Sequence, residues 1–172
     1  SEFGEPNNTR DTNKTISLLD QDLISIGPIA EVFDDQNISG NGPLTSSGSA
    51  VSQAAGGHPG ANVSTSMNLF GGDLLAVGAS KANYTYTPSI EGPIASVTGK
   101  ADVQMNSAGN SSWFLAVEQG GNRYYTKTGA SFSGSWSTVS LNSLTANDFE
   151  TFGTVNVASP DFSGSGGPIK FG

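Results

Sequence analysis

Two consecutive glycines, Gly120 and Gly121, constrain this chain more than any other feature. They follow the apolar run Trp113-Phe114-Leu115-Ala116-Val117-Glu118-Gln119, and Asn122-Arg123-Tyr124-Tyr125-Thr126 resumes the pattern after them. Aromatic and β-branched residues suit a pleated, partly buried strand. A Gly-Gly pair supplies the positive φ that a two-residue hairpin turn demands. Counting outward from the turn pairs Gln119 with Asn122, Glu118 with Arg123, Val117 with Tyr124 and Ala116 with Tyr125. Side chains alternate along a strand. One face of the hairpin therefore carries Trp113, Leu115, Val117, Tyr124 and Thr126 and reads as core. The other carries Phe114, Ala116, Glu118, Arg123, Tyr125 and Lys127 and reads as a surface turned to solvent or ligand, with Glu118 and Arg123 as a cross-strand ion pair.

The rest of the composition agrees with a fold built from short strands. The chain has 172 residues, of which 23 are glycine and only 13% are charged. That is the composition of strands joined by turns, not of helices. A domain of this length buries roughly 70% of its unfolded surface and needs no metal or disulfide staple. Net charge is -8, which argues against nucleic acid and anionic membrane surfaces, since phosphate binding needs clustered Lys and Arg. No apolar run is long enough to span a bilayer. Acidity without cysteine fits a secreted or cell-surface protein, although the absence of Cys excludes no compartment.

Along the chain, residues 1–15 read as a cloning remnant (Ser1-Glu2-Phe3) and a flexible lead-in, and residues 16–172 as a single β-sandwich domain. Residues 16–26 suggest two short strands or a short helix, and 29–33 a further short apolar piece. Residues 34–60, rich in Gly, Ser and Pro, read as a long loop. Residues 94–105 alternate cleanly, with Ala95, Val97, Gly99, Ala101, Val103 and Met105 on one face and Ser96, Thr98, Lys100, Asp102 and Gln104 on the other. That predicts a half-buried antiparallel strand, expected to pair with the Trp113 strand and to place Lys100 and Asp102 beside Glu118. Residues 131–141 and 154–157 read as strands, and a brief helical turn capped by Thr145 or Asn147 is expected between them. A Gly/Ser-rich loop opens at Ser159-Pro160-Asp161 before a final strand at residues 168–171.

Four motifs then stand in a recognisable order: His58-Pro59-Gly60-Ala61, Tyr84-Thr85-Tyr86-Thr87-Pro88-Ser89-Ile90-Glu91-Gly92-Pro93-Ile94, the stretch from Trp113 to Gly121, and Gly167-Pro168-Ile169-Lys170-Phe171-Gly172. Together they resemble jelly-roll modules of the laminin-G/concanavalin-like type found in secreted and surface bacterial proteins. The resemblance spans roughly residues 16–172. It implies an all-β, antiparallel jelly-roll β-sandwich. Members of that class commonly continue into further strands beyond the Phe-Gly motif, so the expectation is a sandwich lacking its last strand or strands at Gly172. Such modules often accompany polysaccharide-degrading or adhesive proteins. A shared fold transfers no function by itself.

Candidate chemistry is limited. One His and no Cys exclude Cys-His catalysis and leave His58 as the only base for a serine triad. A His-based zinc site has no second His or Cys. Glycoside cleavage needs two cooperating carboxylates, and Glu118 stands alone locally, with Asp102 as the one residue expected to approach it. A lyase base drawn from Tyr125, Arg123 or Lys127 is conceivable in chemistry only. The chain therefore reads first as a non-catalytic module, with a polysaccharide-active enzyme as the third and least favoured reading. Sugars stack on aromatic rings while carboxylates, amides and cations take their hydroxyls. This selects Tyr125, Glu118, Arg123, Lys100, Phe114 and Trp136 as ligand-binding candidates, with Tyr84 and Tyr86 behind them. Asp34, Asp35, Asn37, Asp148, Glu150 and Asp161 are oxygen donors of the kind calcium uses, and equally the residues that turns favour. The expected role is a secreted module binding polysaccharide or surface glycan. The alternative is a structural module whose open sheet edge is completed by another protein chain.

Overall fold

The computed structural model describes residues 14–19, 29–37, 47–57, 60–68, 74–81, 85–106, 111–151 and 158–172. His58, Tyr84, the second half of the expected 16–26 element and the expected strand at 154–157 lie outside them. The described chain is all-β. Its strands are β1 (Lys14–Leu19), β2 (Ile29–Asn37), β3 (Ser47–Gly57), β4 (Gly60–Asn68), β5 (Leu74–Lys81), β6 (Thr85–Tyr86), β7 (Ile94–Val103), β8 (Ser111–Trp113), β9 (Ala116–Gln119), β10 (Asn122–Thr126), β11 (Ala130–Phe132), β12 (Ser137–Leu144), β13 (Phe149–Thr151) and β14 (Ile169–Phe171). The helical turns among the described residues are Pro88–Glu91 and the 3-10 turn Ala146–Asp148.

Two sheets build the core. One has five strands in the order β13-β10-β9-β14-β6, and the other three in the order β1-β7-β12. Every strand pair is antiparallel except β1 with β7. A parallel pair needs a long crossover, and the chain between Leu19 and Ile94 provides one. Ile16, Ile94 and Val97 from the smaller sheet join Tyr86, Leu115, Val117, Tyr124, Phe149, Phe162, Ile169 and Phe171 in one buried cluster. Trp113, Leu141 and Leu144 pack against its margin. Six of these side chains, Val97, Leu115, Val117, Phe149, Ile169 and Phe171, are essentially sealed from water, each contributing about 1.5–3 kcal/mol by burial.

The hairpin is the one the glycines demand. Gly120 and Gly121 have φ of 60° and 80°, and β9 pairs β10 in the expected register from Asn122–Gln119 to Tyr125–Ala116. The Pro88–Glu91 turn also follows local chemistry. Pro88 sits where its fixed φ suits a helix start, and the Glu91 carboxylate accepts the Thr87 N–H at 2.6 Å. Below it the buried Tyr86 hydroxyl donates to Gly92 O at 2.8 Å.

The partners of β7 differ from expectation. It pairs with β1 and β12, so it lies in the three-stranded sheet, whereas Glu118 is in the five-stranded one and Trp113 is on β8, which pairs with β11. Its alternation holds from Val97 onward, but Ile94 is buried and Ala95 exposed. A register shift there, where Lys14 faces Ile94 and Thr15 faces Ser96, leaves Ala95 as the extra residue of a bulge.

Two further expectations are corrected. The 34–60 segment is not one long loop: β2 runs to Asn37, β3 spans Ser47–Gly57, and β4 begins at Gly60 and pairs with β3. Small side chains such as those of Ser-Gly-Ser-Ala form a ladder through their backbones without the large apolar alternation that betrays a strand in sequence. The 131–141 piece is also two strands, β11 and β12, broken around Gly134 at φ 63°.

One core residue is poorly matched to its place. Thr126 is 3% exposed and its hydroxyl has no hydrogen-bond partner. Valine has nearly the same shape without the buried polar group. Thr126→Val is expected to raise stability by about 1 kcal/mol, read as a higher denaturation midpoint at unchanged m-value.

Candidate functional site

The five-stranded sheet sorts its residues into two faces. Directly paired residues share a face, so Tyr86, Ile169, Gln119, Val117, Phe171, Tyr124 and Phe149 line the inner one. The outer face carries one polar row across four strands: Thr85 opposite Lys170, Lys170 opposite Glu118, and Glu118 opposite Arg123. Arg123 Nη2 lies 3.8 Å from Glu118 Oε2, and Lys170 Nζ lies 3.6 Å from Glu118 Oε1. The three side chains are 22% (Arg123), 28% (Glu118) and 45% (Lys170) exposed. The expected Glu118–Arg123 pair is therefore present, joined by a cation from the far end of the chain. Lys170 alternates between the buried Ile169 and Phe171, so its outward direction is visible in sequence. Its neighbour is not, because β14 enters between β9 and β6 from a remote position in the chain.

The remaining candidates are dispersed. Tyr125 is 6% exposed, which corrects its placement as an outward-facing ring. It sits on an interior strand, flanked by Ala116 on β9 and Glu150 on β13. Lys100 is exposed on β7 opposite Leu19 and Ser140, in the other sheet from Glu118. Asp102 likewise faces Thr138, whose hydroxyl donates to its carboxylate at 2.5 Å, so it is no partner for Glu118. Trp136 is half-buried just before β12, again away from the polar row. Phe114 is 40% exposed and its ring lies over Gly129, where a Cβ would fall 2.7 Å from Cε1 and Cζ. It lies four positions before Glu118, in the break between β8 and β9.

The most consequential polar residue is one that sequence reasoning passed over. Gln119 lies on the inner face and is buried. Its amide nitrogen donates to Asp161 O at 2.9 Å and Gly167 O at 3.0 Å, and its Oε1 accepts the Asp161 N–H at 2.6 Å. The loop so held accepts two further bonds: Phe162 O from the Ile94 N–H at 2.8 Å and Gly166 O from the Ser89 N–H at 3.1 Å. Gln119 thus anchors the loop before β14 and, through it, the start of β7. A shallow groove of about 460 Å³ opens beside this loop, floored by Ile94 and Phe162 and rimmed by Thr145, Asn147 and Asp161.

The acidic turn residues are occupied locally. Asp148 accepts from the Thr145 N–H at 2.7 Å and the Thr145 hydroxyl at 2.8 Å, and these bonds, with the Lys127 charge, hold its pKa below the ordinary 3.8. Asp161 accepts from the Ser163 hydroxyl at 2.6 Å and the Ser163 N–H at 2.9 Å. Those bonds, aided by Ser165, lower its pKa too. Asp34, Asp35 and Asn37 are on β2, not in a loop. Among the described residues no three His, Cys, Asp or Glu gather as metal ligands would. The depressed carboxyls stabilise the fold fully above their ordinary value and lose that contribution as pH falls through the lowered one. Asp148→Asn with Asp161→Asn is expected to flatten the acid limb of the melting temperature plotted against pH, below about pH 4.

Comparison with protein-family models, curated proteins and solved structures finds no match to this chain.

Proposed function

We propose that this chain is a non-catalytic module of a secreted or cell-surface protein, folded as a jelly-roll sandwich, and that it binds glycan through the outer face of its five-stranded sheet. The observation that carries the reading is the row Thr85, Lys170, Glu118, Arg123, in which a carboxylate stands between two cations on a half-open sheet face. Ammonium and guanidinium groups donate to sugar hydroxyls and the carboxylate accepts from them. Such a row along a rigid sheet suits a repeating polar chain. Glu118 has two cations for neighbours and no second carboxylate beside it in the row, which favours recognition over glycoside cleavage. Two sheets sharing one core, with β14 entered between β9 and β6, support the jelly-roll reading.

A panel of soluble polysaccharides tests the proposal by affinity electrophoresis or calorimetry. Retardation by at least one of them, weakened in Arg123→Ala and Lys170→Ala at unchanged melting temperature, is the expected result. Binding to none overturns the reading. A concentration-dependent mass in that case would favour a module completed by a partner strand.

A further inference from the structure

Resting on that binding reading, we infer that the ligand of this face is an anionic, carboxylated polysaccharide rather than a neutral one. The chain as a whole carries a net charge of -8, yet the row sets two cations, Lys170 and Arg123, against one carboxylate. Within the row, local sign therefore opposes global sign, with Glu150, opposite Tyr125, the next carboxylate on this face; the charges nearest it are the ones an incoming group meets. Glu118 itself displays the geometry. One carboxylate, carried on the middle strand, comes within ion-pair reach of both cations, and a uronate presents the same chemical group. At 3.6 and 3.8 Å both contacts exceed the 2.7–2.9 Å of a charge-assisted hydrogen bond, so Glu118 pairs with the two cations by charge rather than by short hydrogen bonds. A ligand carboxylate would compete with Glu118 for them. A neutral sugar would instead use Glu118 as a hydroxyl acceptor.

These two cases give opposite signs for one substitution. Glu118→Gln removes the competing charge and keeps the size of the side chain. Polygalacturonate and neutral dextran serve as probes, with melting temperature as the control for folding. The expected result is that polygalacturonate binds, that Glu118→Gln tightens it roughly two- to fivefold, the size of one partly exposed charge interaction, and that Lys170→Gln and Arg123→Gln each weaken it by a similar factor. Added salt should weaken wild-type binding. Binding of dextran alone, or weaker polygalacturonate binding in Glu118→Gln, overturns this inference while leaving the glycan-binding module standing. Failure to bind either probe, or any polysaccharide of the wider panel, overturns both.

Discussion

Truncating Leu115 to alanine is expected to cost about 2–5 kcal/mol, the usual range for deleting a fully buried leucine. Leu115 is sealed from water and bridges the two sheets. Its side chain fills the space above Gly99 on β7, where a Cβ would lie 2.6 Å from Cδ1. Gly99→Ala alone should therefore also destabilise, by about 1–3 kcal/mol through overpacking. The informative variant is the double one. An alanine at 99 partly refills the cavity left at 115, so the two losses should add to less than their sum, with a coupling of about 1 kcal/mol or more. Denaturant unfolding of the four proteins measures it. Strict additivity would mean that Leu115 does not rest on Gly99, and the packing of the sheets would need another account.

Replacing Gln119 by leucine is expected to cost about 2–5 kcal/mol, although leucine is the more apolar residue. The change strands the Asp161 N–H and takes a donor from two carbonyls in partly buried bonds, and each group left unmade costs up to about 1–3 kcal/mol. Amide exchange should quicken at Asp161 first, and next at Ile94 and Ser89, whose amides bond to the same loop. Gln119→Glu adds a pH signature. A carboxylate there would face the carbonyl oxygens of Asp161 and Gly167, so the introduced acid would be held protonated and its folded pKa raised. The folded state then binds more protons than the unfolded one. The variant should be least damaged below the unfolded glutamate value of about 4.3, and should lose stability as pH rises through the raised value. A pH-independent loss would contradict the three-bond anchor.

How much of this was legible in sequence depends on the distance between partners. The β9–β10 register could be counted because two glycines fix it locally, and Glu118 opposite Arg123 came with it. The 3-10 turn capped by Thr145 was legible for the same reason, since a cap and its turn lie within four residues. The neighbours of β9 and β7 were not. Alternation says that Lys170 and Lys100 both point outward, but not that one arrives beside Glu118 while the other belongs to the opposite sheet. Tyr125 failed for a related reason. Counting along the hairpin puts it on the Glu118 face, yet it is buried there, and what covers a ring cannot be counted from the hairpin alone. Strands β3 and β4 were hidden by composition, because Gly, Ser and Ala look like a loop until their backbones pair. Gln119 left a single trace, a polar residue at an inward position of an apolar strand, and such a residue must find partners once buried.

The division of the hairpin near its turn into a sealed side at Val117 and a side open to solvent at Glu118 and Arg123 is the premise of both the fold and the binding proposal, and the absence of cysteine allows a direct measurement. Val117 and Glu118 are adjacent on β9 and point to opposite sides. Single Val117→Cys and Glu118→Cys variants, treated with a thiol reagent under native conditions, should differ in labelling rate by on the order of 10³ or more, because the thiol at 117 reacts only when the domain opens. The thiol at 118 should label promptly. Equal rates at the two positions, in variants that remain folded, would contradict the account.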